Sequence, residues 1–248
     1  PTDTITLPGT TSIAKKGTPS DKKEIGFLTD PYLFEGYAWY AKEITLDKDS
    51  KNKNIYLHLE RTRLTRVWVN DVEVGCRDSL TTPHHYDLTP YIKYGQENVI
   101  AVRIDNDWNY KERATGTKYQ WSNKNFNANY GGIPKNVWLH VTDRLYQTLP
   151  LYSNLKTTGV YIYAEDIRVK SRKAIIHAES EIRNEYNRDK QVSYQVELID
   201  RDGTSIQTFE GTKAVVKPGE TITLKAASEV DNLHFWSWGY GYLYTVQT

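Results

Sequence analysis

Apolar and polar residues alternate with a period of two along most of the chain, and no stretch of eleven or more residues shows the 3.6-residue period of an amphipathic helix. That pattern predicts an all-β protein. Residues 1–30 stand apart as loop, because Pro8-Gly9, Gly17 and Pro19 break any regular element. A strand is predicted from Gly36 to Leu46 and another from Asn54 to Glu60, where Ile55, Leu57 and Leu59 alternate with Tyr56 and His58. Arg66 to Val74 reads as two strands around Asn70-Asp71, a dipeptide that tolerates the positive φ of a tight hairpin turn. Asp87-Leu88-Thr89-Pro90 predicts a capped single turn, since Asp accepts free backbone N–H groups and Pro tolerates an early helical position. In the strand from Asn98 to Ile104, Val99, Ala101 and Arg103 face opposite to Ile100, Val102 and Ile104. Alternation returns at Val137 to Val141.

Residues 105–132 interrupt the pattern with a long segment of Asn, Tyr, Trp and Gly, and loops of that length in compact domains are functional or disordered. Residues 145–159, with Pro150 and Gly159, read as a linker. Beyond it, strands are predicted near 160–169, 173–183, 191–199, 204–210, 212–217, 221–226 and 241–247, joined by turns such as Arg201-Asp202-Gly203 and Pro218-Gly219. Seven short strands in about 90 residues are the mark of an immunoglobulin-like sandwich. The expected division is a first β domain over residues 1–148, then linker and second domain over 149–248.

Composition narrows the partners. Lys and Arg number 32 against 31 Asp and Glu, and a pI near 8.1 falls short of the basic balance of nucleic-acid binders, so no nucleic-acid partner is expected. No apolar run approaches the ~20 residues that span a bilayer, so no membrane partner is expected either. Pro1 opens the chain in place of Met, which suggests a processed or trimmed chain; its location is left open, leaning to periplasmic or secreted. Cys76 is the single cysteine, which excludes an intrachain disulfide and a thiolate zinc site, and it reads as a small buried hydrophobe. With 19 Tyr and 7 Trp against 5 Phe, the aromatic residues are mostly those with a polar handle. Most are expected in sandwich cores and strand faces, with a minority available to stack on sugars.

Several stretches carry a resemblance. Gly36-Tyr37-Ala38-Trp39-Tyr40 with Lys42, Val67-Trp68-Val69-Asn70-Asp71 with Val74-Gly75, and Thr82-Pro83 with Tyr86-Asp87-Leu88-Thr89 come first. Asn98 to Asn106, Gly131-Gly132-Ile133 with Val137-Trp138-Leu139, and Phe235-Trp236-Ser237 with Tyr242 to Val246 follow. In this order and spacing they resemble the N-terminal part of family 2 glycoside hydrolases, the group of β-galactosidases, β-glucuronidases and β-mannosidases. The resemblance implies a galactose-binding-like jelly-roll β-sandwich, then an immunoglobulin-like β-sandwich, then a catalytic (β/α)8 barrel. A barrel needs ~250 residues to itself, so it is not contained in this chain, which is expected to be inactive alone. Asp71 stands where the family has Gly, Lys135-Asn136 follow Pro134 where it favours Arg, and Trp238-Gly239-Tyr240 replace its proline-containing turn.

The function implied is the non-catalytic portion of a β-galactosidase-like hydrolase, scaffolding the barrel and lending loops to the sugar cleft. The alternative is a free-standing carbohydrate-binding or adhesive module. Sugar hydroxyls donate and accept, and sugar rings present C–H faces, so a site needs carboxylates, amides and aromatic rings. Asp105, Asn106, Trp121, Asn125, Asn127, Asn129 and Tyr130 supply these types, and Asp105 and Asn106 match the family's rim best. The expected partners are therefore a β-glycoside and the barrel of the same polypeptide. Retaining hydrolysis needs two carboxyl groups ~5–5.5 Å apart. No catalytic residue is expected here: Asn184-Glu185 imitates the family's acid/base dipeptide but falls at a strand end, and Asp105 with Asp107 reads as turn bonding. His84-His85 beside Asp87 reads as a solvated turn rather than a metal site, because adjacent residues on an extended segment point apart. No cofactor is expected, with bound Ca2+ left open.

Overall fold

The structure, a computed structural model, describes residues 3–21, 31–79, 82–107, 131–150 and 154–248. It divides into two units, Pro1–Asp143 and Arg144–Thr248. The first contains β1 (Gly9–Thr10), β2 (Thr18–Pro19), β3 (Tyr32–Leu33), β4 (Tyr37–Thr45), β5 (Asn54–Leu59) and β6 (Leu64–Val69). It continues with β7 (Val72–Arg77), β8 (His84–Asp87), β9 (Glu97–Asp105), β10 (Gly132–Ile133) and β11 (Val137–Thr142).

Two antiparallel sheets make the sandwich of this unit, one ordered β4-β9-β6-β7 and the other β11-β5-β8. Successive side chains on a strand point to opposite faces, so the period-two pattern assigns each residue to core or outside. Ile55, Leu57 and Leu59 of β5 meet Val67 and Val69 of β6 and Ile100, Val102 and Ile104 of β9 in one buried cluster. The β6–β7 hairpin turns where predicted, with Asn70 and Asp71 at φ 49° and 67°. The Asn70 side chain also donates to Asn98 Oδ1 (2.8 Å) and to the Tyr91 carbonyl (3.2 Å), so the turn is tied to the approach to β9. The predicted capped turn is a single 3-10 turn at Thr89–Tyr91, and Asp87 Oδ1 accepts the Thr89 amide at 2.9 Å.

The second unit contains β12 (Leu145–Gln147), β13 (Val160–Arg168), β14 (Lys173–Asn184), β15 (Lys190–Ile199), β16 (Ser205–Val216), β17 (Thr221–Val230) and β18 (Thr245–Gln247). One edge of β14 pairs with β17; the other pairs with β13 over Lys173–Ser180 and with β12 over Ile182–Asn184. The facing sheet is β16-β15-β18. Between them lie Ala178, Ile182, Tyr194, Val196, Phe209, Leu224 and Ala226. Both units are β-sandwiches, the second of immunoglobulin-like form.

Two local expectations are corrected. Leu145–Gln147, read as linker, is an edge strand on β14. The two strands expected at 204–210 and 212–217 are one continuous β16, and Gly211 between them lies in a bulge. Pairing steps from Ser193↔Lys213 to Gln195↔Glu210, leaving one extra residue on β16. Glycine is required there because an added Cβ would lie 2.3 Å from the Lys225 carbonyl oxygen of β17.

Candidate functional site

The most apolar part of β9 ends at Asp105, where the chain turns out of the sheet. Asp105 is paired with Tyr37 of β4 and Leu64 of β6 and is 2 % exposed; Asn106, just beyond, is 1 % exposed. Asp105 Oδ1 accepts the Asp107 amide at 3.0 Å, the local turn bond expected of this residue type. The Asn106 amide donates to the Gly36 carbonyl at 2.8 Å, and its side-chain Nδ2 donates to the Phe34 carbonyl. Asn106 thereby fixes the segment that leads into β4.

The returning chain meets the same point. A Cβ on Gly131 would lie 2.7 Å from Asn106 Nδ2 and 2.8 Å from Thr11 Oγ1, so any larger residue must displace this amide or the Thr11 hydroxyl. Gly131 accepts the Thr11 amide at 3.1 Å, β10 pairs with β1, and the Thr62 hydroxyl donates to the Gly132 carbonyl at 3.1 Å. Asp105 and Asn106 are thus brought together, in a set of backbone-directed hydrogen bonds, where residues 107 and 131 mark the two ends of the amide-rich segment. Trp121, Asn125, Asn127, Asn129 and Tyr130 lie outside the described residues.

The face of the β4-β9-β6-β7 sheet that carries Asp105 also holds a group that the sequence reading did not assemble. Tyr37, Trp39, Arg103, Arg66 and Trp68 share this outward face by strand parity and register. The Arg103 guanidinium carbon sits 4.3 Å from the Tyr37 ring centroid and 5.7 Å from those of Trp39 and Trp68. The two indoles are 5.1 Å apart, and Trp39 is 59 % exposed. The signal available was an arginine on the outward parity of a core strand, but its ring partners belong to other strands.

His84 and His85 are not in a solvated turn. Both lie in β8, buried, with side chains on opposite faces. His84 Nε2 must donate to the Ser79 carbonyl (2.7 Å), which leaves Nδ1 to accept from the Thr65 hydroxyl (2.7 Å); that oxygen lies 2.6 Å from Tyr86 Oη. Burial pushes the His84 imidazole down to about 4 and the Tyr86 hydroxyl up. His85 packs against His58 at 4.4 Å between ring centroids, and His58 Nδ1 lies 3.2 Å from His140 Nε2. Burial and then the neighbouring imidazoles push His85 to about 4; burial also lowers His58 and His140. These are neutral, packed rings. Among the described residues no group of three or more His, Cys, Asp or Glu is arranged to hold a metal ion.

Asn184-Glu185 closes a turn in the second unit. Asn184 is fully buried, its Nδ2 donating to the Arg188 and Val216 carbonyls (2.9 and 2.8 Å) and its Oδ1 accepting the Tyr186 amide (2.9 Å). Glu185 accepts from Arg183 Nε at 2.8 Å and from Tyr146 at 3.1 Å.

The family model described as glycosyl hydrolases family 2, sugar binding domain, matches residues 2–143, and that described as glycosyl hydrolases family 2 matches residues 160–248. A β-glucuronidase of Formosa agariphila is 35 % identical over 86 % of this chain and 21 % of its own length. A β-galactosidase of Bacteroides ovatus, BoGH2A, is 25 % identical over 86 % of this chain and 22 % of its own. A solved structure described as a β-glucuronidase from glycoside hydrolase family 2 superposes with a TM-score of 0.76 at 32 % identity, covering 86 % of this chain and 22 % of that one. The chain therefore spans about a fifth of the length of these relatives.

Proposed function

The chain belongs to the glycosyl hydrolases of family 2, as their sugar-binding domain followed by an immunoglobulin-like domain, and from that premise we propose that it forms one wall of the sugar cleft of a longer β-glycosidase. The acid and the nucleophile, two carboxyl groups ~5–5.5 Å apart, then belong to a barrel elsewhere in the polypeptide. In this reading Asp105, Trp121, Asn125, Asn127, Asn129 and Tyr130 form the rim that meets the substrate's hydroxyl groups and ring face, and Asn106 anchors its base.

One observation carries this reading: both ends of the amide-rich segment are pinned by buried hydrogen bonds around Asn106 and Gly131. A recognition loop is useful when a rigid scaffold sets the position of its ends. The sequence pointed to β-galactosides. The relative at 35 % identity and the structure at 32 % are β-glucuronidases, so β-glucuronides are the preferred substrate class in this proposal and β-galactosides the comparison.

The test is turnover of nitrophenyl β-glucuronide and β-galactoside by the 248-residue chain and by the polypeptide that includes the barrel. The longer polypeptide is expected to hydrolyse the glucuronide faster than the galactoside, and the chain alone neither. Equal turnover by the chain alone, or none by the longer polypeptide on either glycoside, overturns the reading.

A further inference from the structure

We propose that the outward face of the β4-β9-β6-β7 sheet binds an acidic saccharide, Arg103 and Arg66 taking its carboxylate or sulfate and Trp39 stacking on its ring. The proposal rests on the reading above that this domain recognises carbohydrate, and it adds to the rim the arginine and indole groups on the sheet face that carries Asp105.

Charge comes first. Arg66 and Arg103 are register partners on adjacent strands and project from the same face. Like charges placed directly opposite each other destabilise a sheet. Among the described residues a single carboxylate pairs with them: Arg66 Nη1 donates to Glu73 Oε1 at 2.9 Å and Oε2 at 3.1 Å. Among the described residues Arg103 makes no ion pair and no hydrogen bond, and its Nε is buried without a partner. Among the described residues the face therefore carries one unpaired guanidinium beside a paired one, and an anion from outside relieves the repulsion between them.

Geometry then selects the kind of anion. Tyr37, Trp39 and Trp68 surround the guanidinium and hold it by cation–π attraction, which fixes its position without using its N–H donors. A guanidinium held in this way presents a planar fork that suits the two oxygens of a carboxylate or sulfate. Next to it the Trp39 ring is 59 % exposed, an apolar plane matched to the C–H face of a pyranose. Anion and apolar face side by side describe a uronate or a sugar sulfate ester. A neutral sugar leaves the charge unanswered, and a simple anion leaves the indole bare.

Isothermal titration of the chain tests this with four probes. They are a trisaccharide containing glucuronate, the same trisaccharide with its carboxyl reduced to an alcohol, the sulfate ester of that neutral form, and triglutamate. The chain is expected to bind at least one acidic saccharide about tenfold or more tighter than the neutral one, a fork–carboxylate bond being worth ~1.4 kcal/mol or more. The larger of the two ratios identifies the anion. Arg103→Gln is expected to bring the acid-to-neutral ratio to within about twofold, Arg103→Lys to leave an intermediate ratio, and Trp39→Ala to weaken all three saccharides together. Circular dichroism checks folding of each variant, and if Arg103→Gln unfolds, the ratio for Arg103→Lys decides. Equal binding of acidic and neutral forms, an unchanged ratio in the arginine variants, or triglutamate binding as tightly as the acidic sugars overturns the proposal. Failure of the glycosidase reading appears instead in nitrophenyl glycoside turnover, a separate measurement.

Discussion

Asp105 and Asn106 are neighbours with different duties, and substitutions separate them. Asp105→Asn keeps the volume and an acceptor for the Asp107 amide while removing the charge. In the barrel-bearing polypeptide this change is expected to lower kcat/KM for a β-glycoside about tenfold or more, because a hydrogen bond to a charged group contributes ~1.5–3 kcal/mol. Thermal stability should stay close to that of the parent. Unchanged kcat/KM removes Asp105 from the rim. Asn106→Ala instead leaves the Phe34 carbonyl without its donor and is expected to destabilise the first unit by ~1–3 kcal/mol in urea unfolding. A loss below ~0.5 kcal/mol shows that Asn106 is not the anchor. Their place at the end of β9 was legible in sequence because a regular strand ends where its alternation ends. Arg103 with Trp39 and Trp68 was not, since spacing along one strand says nothing of register with the next. His84-His85 misled for a related reason: a polar pair after Pro83 has the composition of a turn, and its burial follows only from the pairing of β8 with β5.

At the scale of elements, the hairpins were readable wherever the turn chemistry is local. Asn70-Asp71 announces positive φ, and Asp87 announces a cap. What local chemistry does not show is the latch that joins these turns. Asn98 is fully buried, and its Oδ1 accepts the Lys93 amide (2.7 Å) and Asn70 Nδ2 (2.8 Å). Its Nδ2 donates to the Lys93 and Gln96 carbonyls at 2.9 and 3.0 Å. One side chain thus holds the entry to β9 against the β6–β7 turn. Asn98→Ala strands several buried groups at once and is expected to cost about 3 kcal/mol or more, read as a fall in the urea midpoint with the slope unchanged. A cost below ~1 kcal/mol means water replaces the amide and the latch is dispensable. Asp71→Gly should act the other way, gaining up to ~1 kcal/mol, because it removes the Cβ from a left-handed residue without touching the latch. The bulge in β16 was not legible because Gly211 admits two uses that sequence does not distinguish, a turn and a close backbone approach.

At the scale of the whole molecule, the first unit has one buried cluster and the second has two, and the four imidazoles whose protonation is suppressed all belong to the first. The consequence is a histidine-linked acid sensitivity in that unit. A histidine with a lowered pKa in the folded state is neutral there, while in the unfolded chain it protonates near pH ~6.5. Between that pH and about 4, where His84 and His85 titrate in the folded protein, the unfolded state binds more protons. Stability is therefore complete above pH ~6.5 and is lost progressively as pH falls toward 4. At pH 5.5 the loss is about 1 kcal/mol for each of His84 and His85, with further contributions of the same sign from His58 and His140. Calorimetry of the chain at pH 7.5 and 5.5 should resolve two transitions, one for each unit. The transition of the first unit is expected to fall by about 5 °C or more over this range, and the other to move much less. Leu57→Ala, a truncation in the first core, assigns the transitions by lowering the acid-sensitive one at both pH values. If both transitions shift together, or the one marked by Leu57→Ala does not respond to pH, the buried imidazoles do not govern the stability of the first unit.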